Sequence, residues 1–453
     1  MRVRANDELV QSAIKAFEEA ERLALNKETD SYVGAYEKAS RMLKTIWEEK
    51  REMTYGLKLM KALRKSRHYE EALMVSREVF KLYGDRDAVK NSYAWVIYDY
   101  KIRVRNESIT NEKEFFKAAN AICEMTAAGI YSPYTATVMK VLDYLKKKTN
   151  RIDLEEKWLN KVQPGDLSTE VRNISDNGKN ISVPSDKEKW FSLKASVLFE
   201  KKEYMECIKF CDKALEELQV YSKNNEGGFF FARKRAQAKL SIPQLEESGL
   251  RELEGLLSRR PEWYIFSDLA SHHLSKGLVD DAYKYSLFSL IYYPNKAKFV
   301  TVKTPLEILG KIFDLREERE LSAKHYALII HAFKVEEYKI SPEYTSKANV
   351  DGESLVEKYP IKKLSEELQS LWIDEIRRYL DKVLARVTKV LPDRKKVFVK
   401  SENGSEYSFK FANFQGRARD LSSEDRVTLY INPITSKKNG AKEAIIAEKD
   451  PSS

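Results

Sequence analysis

Apolar positions recur at three- and four-residue spacing through about residue 380, then alternate one-in-two to the end of the chain. The first period predicts amphipathic helices and the second predicts short strands. Three stretches carry the helical signal best. In residues 56–84, Leu59, Met60 and Leu63 share one helix face, Ser66-Arg67-His68 makes a polar turn, and Tyr69, Ala72 and Val79 lead to Gly84. In residues 191–218, Ala195 and Leu198 precede a turn at Lys201-Lys202-Glu203, and Tyr204, Cys207 and Ala214 follow at the same offsets. In residues 266–294, Ala270 and His273 precede Gly277, with Val279, Ala282, Ser289 and Pro294 after it. Weaker pairs are expected at 89–104 with 112–125, 134–148 with 154–162, 229–239 with 243–259, and 305–313 with 320–333. A last helix is expected over 363–384. Breaks fall at 163–185, where Pro164-Gly165 is followed by a run rich in Asn and Ser, and at 338–360.

Two antiparallel helices joined by a tight turn need small residues where their axes approach. Ala72, Cys207 and Ala282 fill one such place; Ala195 and Ala270 fill the other. The unit recurs near every 34 residues, and Glu70-Glu71-Ala72, Met205-Glu206-Cys207 and Asp280-Asp281-Ala282 each end three residues after the turn hydrophobe. The pattern resembles the tetratricopeptide repeat. That resemblance implies a solenoid whose concave groove binds a protein partner. The plain alternative is an array that only spaces its two ends.

The tail holds five strand candidates: 385–391, 396–400, 407–411, 426–431 and 443–448. Asn403-Gly404 predicts a hairpin turn, and Asn439-Gly440 a second reversal. Five strands in so short a segment fit a small closed barrel of OB type. Residues 385–399 resemble the opening of a cold-shock domain, 407–414 its third strand, 420–427 the approach to its fourth, and 439–444 the entry to its fifth. The family binds single-stranded nucleic acid by stacking bases on aromatic rings, with lysines along the phosphate path. On that resemblance Phe398 keeps one ring of the second strand and Phe411 one of the third. Lys389 stands where the family has tryptophan, Lys396 replaces the other second-strand ring, Ser408 replaces a third-strand ring, and Lys410 takes the place of a histidine. The expected nucleic-acid contacts are therefore Lys389, Lys396, Phe398, Lys400, Lys410 and Phe411. With half the rings gone, binding is expected to be weak and salt-dependent. Strict alternation, however, puts Phe411 in the core with Tyr407 and Phe409 unless a bulge turns it outward.

Charge sharpens this reading. The formal net charge is +10, and residues 386–453 hold 14 Lys and Arg against 9 Asp and Glu, half of the excess in about 15% of the chain. No apolar run approaches the roughly 18–20 residues of a membrane helix. Three cysteines do not make a disulfide framework, and a reducing cytoplasm is the default. Cys207 and Cys211 have i,i+4 spacing but read as buried thiols. His272-His273 cannot converge on one ion, and His325 and His331 are poorly spaced for one. No phosphate-binding glycine loop or nucleophile motif is present, so neither a cofactor nor a catalytic residue is assigned. The chain thus reads as mostly α, a tetratricopeptide-like solenoid followed by a small five-stranded OB- or cold-shock-like barrel. Its expected divisions are 1–165, 186–384 with its C-terminal helix, and 385–453. The expected function is a non-enzymatic adaptor, gripping a protein with its repeats and touching single-stranded RNA or DNA with its tail. The alternative is a pure protein scaffold with the barrel as a second docking module. The domain combination resembles accessory proteins of bacterial conflict systems of the TOTE kind, which implies a role in defence against invading nucleic acid.

Overall fold

The computed structural model describes residues 2–26, 29–103, 109–146, 151–176, 179–218, 226–294, 298–391, 395–416, 421–434 and 442–450. The chain is mostly helical and ends in a closed five-stranded barrel. Its internal contacts divide it into two compact units, residues 1–203 with 216–227, and residues 204–215 with 228–453. Among the described residues no helix is long and apolar enough to cross a membrane.

The first unit holds α1 (Arg2–Leu25), α2 (Thr29–Lys50), α3 (Met53–Lys65), α4 (Tyr69–Tyr83), α5 (Asp87–Ile97), α6 (Glu112–Met125), α7 (Pro133–Leu145) and α8 (Ile152–Leu159). A π-helical turn, Tyr98–Ile102, continues α5. A hairpin of β1 (Arg172–Asp176) and β2 (Lys179–Val183) follows, then α9 (Asp186–Glu200). The sequence showed only a break there. That break interrupts the helices but not the packing, because Trp190 of α9 donates its Nε1–H to the Leu159 carbonyl across it, at 3.0 Å.

α10 (Tyr204–Leu218) and α11 (Glu226–Leu240) lead into α12 (Glu246–Arg259), α13 (Trp263–Ser275), α14 (Val279–Tyr292), α15 (Lys303–Leu315) and α16 (Arg319–Val335). The second sequence break contains α17 (Pro342–Lys347), a short hairpin of β3 (Asn349–Val350) and β4 (Glu353–Ser354), and α18 (Leu355–Lys358). α19 (Ile361–Ile376) then crosses the unit, burying Leu364, Leu368, Trp372 and Ile376. It ends eight residues earlier than its apolar spacing predicts. A 3-10 turn at Arg377–Tyr379 converts the chain to strand by Asp381.

The small residues expected at helix crossings are fully buried: Ala72, Ala195, Cys207, Ala270 and Ala282. Among the described residues five helices close in the same way. After α3, α9, α13, α15 and α16 one residue takes a left-handed backbone: Arg67 (φ 67°), Lys202 (φ 62°), Gly277 (φ 73°), Glu317 (φ 62°) and Glu337 (φ 54°). The next N–H then returns to a carbonyl five residues back, from His68 to Leu63, Glu203 to Leu198, Leu278 to His273, Glu318 to Phe313 and Tyr338 to Phe333, each at 2.9 Å. This satisfies carbonyls the helix end would otherwise leave open. Only Gly277 adopts that backbone without a Cβ penalty, which is about 1–2 kcal/mol elsewhere. Lys202→Gly is therefore expected to raise stability by about 1 kcal/mol and Gly277→Ala to lower it by about as much, read from urea unfolding midpoints.

The barrel strands are β5 (Asp381–Val390), β6 (Lys396–Ser401), β7 (Glu406–Lys410), β8 (Arg426–Ile431) and β9 (Lys442–Lys449). Their order around the barrel is β5-β6-β7-β9-β8, closing on β5. All neighbours are antiparallel except β7 and β9, which run parallel. That order is compatible with an OB fold. Val387, Val397, Val399, Phe409, Val427 and Leu429 lead the interior. The β6–β7 turn uses Asn403-Gly404 as expected, but only Gly404 takes a positive φ (84°). Asn403 contributes its side chain instead, its Oδ1 accepting from Ser405 N–H at 3.1 Å and from the Ser401 hydroxyl at 2.6 Å. The reversal expected at Asn439-Gly440 lies outside the described residues.

Candidate nucleic-acid interface

Which barrel face is open depends on how β8 and β9 are covered. Val427, Leu429 and Ile431 point into the barrel, yet Thr428 and Tyr430 between them are buried as well. Tyr430, Ile445 and Ile446 belong to the apolar core of the helices of the same unit. Polar contacts complete the seam. Glu448 accepts from Arg377 at 2.8 Å and from the Tyr430 hydroxyl at 2.7 Å, and Asn432 donates to the Tyr292 hydroxyl at 3.1 Å. The barrel is docked through β8 and β9; on the outer surface of β5, β6 and β7, Arg386, Lys389, Lys400 and Lys410 are exposed, Lys396 and Phe398 are half-buried, and Ser408 is buried.

Directly opposed residues in an antiparallel pair share a face. On this open face Arg386 of β5 is paired with Lys400 of β6, and Lys396 of β6 with Lys410 of β7. These are two like-charge pairs, an arrangement that costs stability by itself. Between them Lys389 faces Phe398, which in turn faces the buried Ser408. The Lys396 ammonium lies 5.7 Å from the centre of the Phe398 ring. Few carboxylates offset this charge: Glu443 lies 3.3 Å from Lys410, Glu424 lies 3.6 Å from Arg386, and Glu406 is opposite Lys400.

Lys389 reaches this face through a β-bulge. Val387 is opposite Val399, but Lys389, two residues on, is opposite Phe398, so the register shifts between them. The inserted Thr388 anchors the bulge by donating its hydroxyl to the Phe398 carbonyl at 3.1 Å. Without the bulge, Lys389 would share the inward parity of Ala385 and Val387. A bulge that re-aims one side chain is a recurrent device beside binding sites.

Five of the six residues singled out in the sequence therefore meet on one face: Lys389, Lys396, Phe398, Lys400 and Lys410. Phe411 does not join them as a free ring. It begins a 3-10 turn, Phe411–Asn413, and packs partly against the barrel core, edge-on to Phe414 with ring centres 6.4 Å apart. Its alternation with Tyr407 and Phe409 was the better guide. Arg386 belongs to the face and was missed; its parity with Leu384, outward from the inward-facing Ala385, was the available signal. Elsewhere, Cys207 and Cys211 are fully buried, and among the described residues no three His, Cys, Asp or Glu converge to hold a metal ion.

No protein-family model and no curated protein sequence matches the chain. Solved structures give distant likenesses. Human IFIT1, solved as a dimer with PPP-AAAA, is 12% identical, covers 80% of this chain and 82% of its own, and has a TM-score of 0.33. The TPR domain of P58(IPK) is 12% identical, covers 81% of this chain and 99% of its own, and has a TM-score of 0.20. Likenesses this distant say nothing of function.

Proposed function

We propose that the chain is an adaptor whose barrel, read as an OB fold of cold-shock type, binds single-stranded nucleic acid on the open face of β5, β6 and β7, while its helical repeats receive a protein partner. One observation carries the reading: two like-charge pairs, Arg386 with Lys400 and Lys396 with Lys410, flank one half-buried aromatic ring, Phe398, on the side of the barrel away from the docked strands β8 and β9. A face built only for stability would oppose unlike charges there. A sugar-phosphate chain supplies the missing anions, and a base stacks on Phe398. The combination of domains resembles that of bacterial conflict-system accessories, and on that resemblance the adaptor acts in defence against invading nucleic acid.

The test is fluorescence anisotropy with labelled single-stranded RNA and DNA on the full chain across a salt series. Three to five phosphate contacts predict a slope of log K against log salt of about −2 to −3.5. No binding at about 50 mM salt would leave the barrel as a protein-docking module.

A further inference from the structure

The first helical unit carries a charge cluster that the barrel reading does not use. Arg64 of α3 and Arg103, which follows the π-helical turn Tyr98–Ile102, share Asp99, and Lys65, next to Arg64 and one turn from Lys61 on α3, feels the charge of all three cations. Among the described residues two carboxylates face them, and both already bind donors. Glu21 of α1 accepts from Lys61 at 2.6 Å and from the Tyr36 hydroxyl of α2. Asp99 accepts from Arg64 at 2.9 Å and from Arg103 at 3.4 Å. Arg64 and Asp99 are well buried, with side chains 13% and 9% exposed, whereas Arg103 is 69% exposed. Lys65 has no hydrogen-bond or ion-pair partner among the described residues, although it is half-buried. Burial and the neighbouring Arg64 hold its ammonium below the usual lysine range, with Lys61 and Arg103 adding to the effect.

An unpaired, partly desolvated ammonium among three other cations is a costly arrangement that a bound anion would relieve. The turn that places Asp99 and Arg103 has π geometry, a form frequent at functional sites. Among the described residues four cations against two carboxylates leave an excess of two charges. A monocarboxylate would neutralise half of it; a phosphate dianion matches it, and the Arg103 fork suits its oxygens. We propose that Lys61, Lys65 and Arg103 form a binding site for a multiply charged phosphate group, held over the Arg64–Asp99 pair as its fixed floor.

The site stands independently of the barrel and is tested apart from it. Inorganic pyrophosphate is titrated calorimetrically into the full chain at about 50 mM salt. Saturable binding is expected, weakened at least about tenfold by Lys65→Met and by Arg103→Met. Lys65→Met should also raise the melting temperature of the unliganded protein, because it removes an unpaired charge. Pyrophosphate should raise the melting temperature of the parent chain and not that of the variant. A purely structural Lys65 gives the reverse, a lower melting temperature with pyrophosphate affinity unchanged, and that result overturns the proposal. So does the absence of saturable binding to the parent chain. The source of the phosphate is then read by competition in a chain carrying Lys389→Glu, Lys396→Glu and Lys410→Glu, which disables the barrel face. Displacement of pyrophosphate by a 5′-phosphorylated but not a 5′-hydroxyl oligonucleotide assigns the end of a nucleic-acid chain. Displacement by neither assigns a free phosphate compound.

Discussion

Reversing Lys389, Lys396 and Lys410 together to Glu is expected to weaken single-stranded nucleic-acid binding by at least about 100-fold at moderate salt. Charge-assisted hydrogen bonds are worth about 1.5–3 kcal/mol each, and three would be lost and replaced by repulsion. The salt slope should flatten by about 2, since each lost phosphate contact removes about 0.7 for a single strand. The triple change exchanges one like-charge pair for another and loses the Lys410–Glu443 pair, but Lys389 and Lys410 are exposed and Lys396 is only half-buried, so the barrel is expected to stay folded with a modestly lower melting temperature. Lys396 and Lys410 oppose each other in the ladder, so Lys396→Glu alone converts a like pair into an unlike one and is expected to add about 0.2–1 kcal/mol of stability. A single change that stabilises the fold while weakening binding separates the two roles, and calorimetric melting beside anisotropy reads both. Phe398→Ala should cost about tenfold in affinity through lost stacking, with little change in salt slope. If the triple reversal leaves affinity unchanged, the nucleic acid does not lie on this face.

The second large effect is on stability against acid. His325 of α16 is wholly buried between Phe313 and Trp372, with ring centres 5.2 and 5.9 Å away. The Trp372 indole N–H donates to Nε2 at 3.0 Å, so the ring proton sits on Nδ1 and is donated to the Leu321 carbonyl at 2.7 Å. The ring is satisfied only while neutral. Burial drives its pKa down to about 4, against an ordinary value of 6.5. The unfolded chain therefore takes up a proton that the folded chain refuses. The stability is complete above about pH 6.5, declines as pH falls, and is lost in full once pH passes below 4. The loss from this one group is about 3 kcal/mol. His272, His273 and His331 are also held below the usual histidine range by burial and act in the same direction. Urea unfolding at pH 7, 5.5 and 4.5 should show the midpoint falling without any ligand. His325→Gln should lower stability at pH 7 but flatten the decline. An unchanged pH dependence in that variant would place the acid sensitivity in other groups.

Much of the site was legible because strand parity is a local property. In β6, Val397 and Val399 turn inward and Lys396, Phe398 and Lys400 outward, whatever surrounds the barrel. The same parity pointed Phe411 inward, and the family resemblance that turned it outward was the weaker argument. The resemblance named Lys389 as an expected contact, whereas alternation alone would have buried it; the Thr388 bulge turns it to the outer face, and no local pattern announces that bulge. The hairpin 172–183 was missed because its Asn- and Ser-rich composition reads as loop, although β1 and β2 pair in register over five residues each.

The sequence by itself determined the helix pairs, the small residues at their crossings, the five barrel strands and the concentration of positive charge in the tail. Each rests on residues a few positions apart, where side-chain period and backbone preference act directly. Tertiary structure alone decided where α19 stops, which barrel face is covered and that a bulge brings Lys389 to the other. Those outcomes depend on contacts such as Asn432 with Tyr292 and Glu448 with Arg377, between residues far apart in the chain. Closing the barrel and burying Tyr430, Ile445 and Ile446 against the helices fixes β8 and β9 as the docked side. The basic face is the side this burial leaves in water.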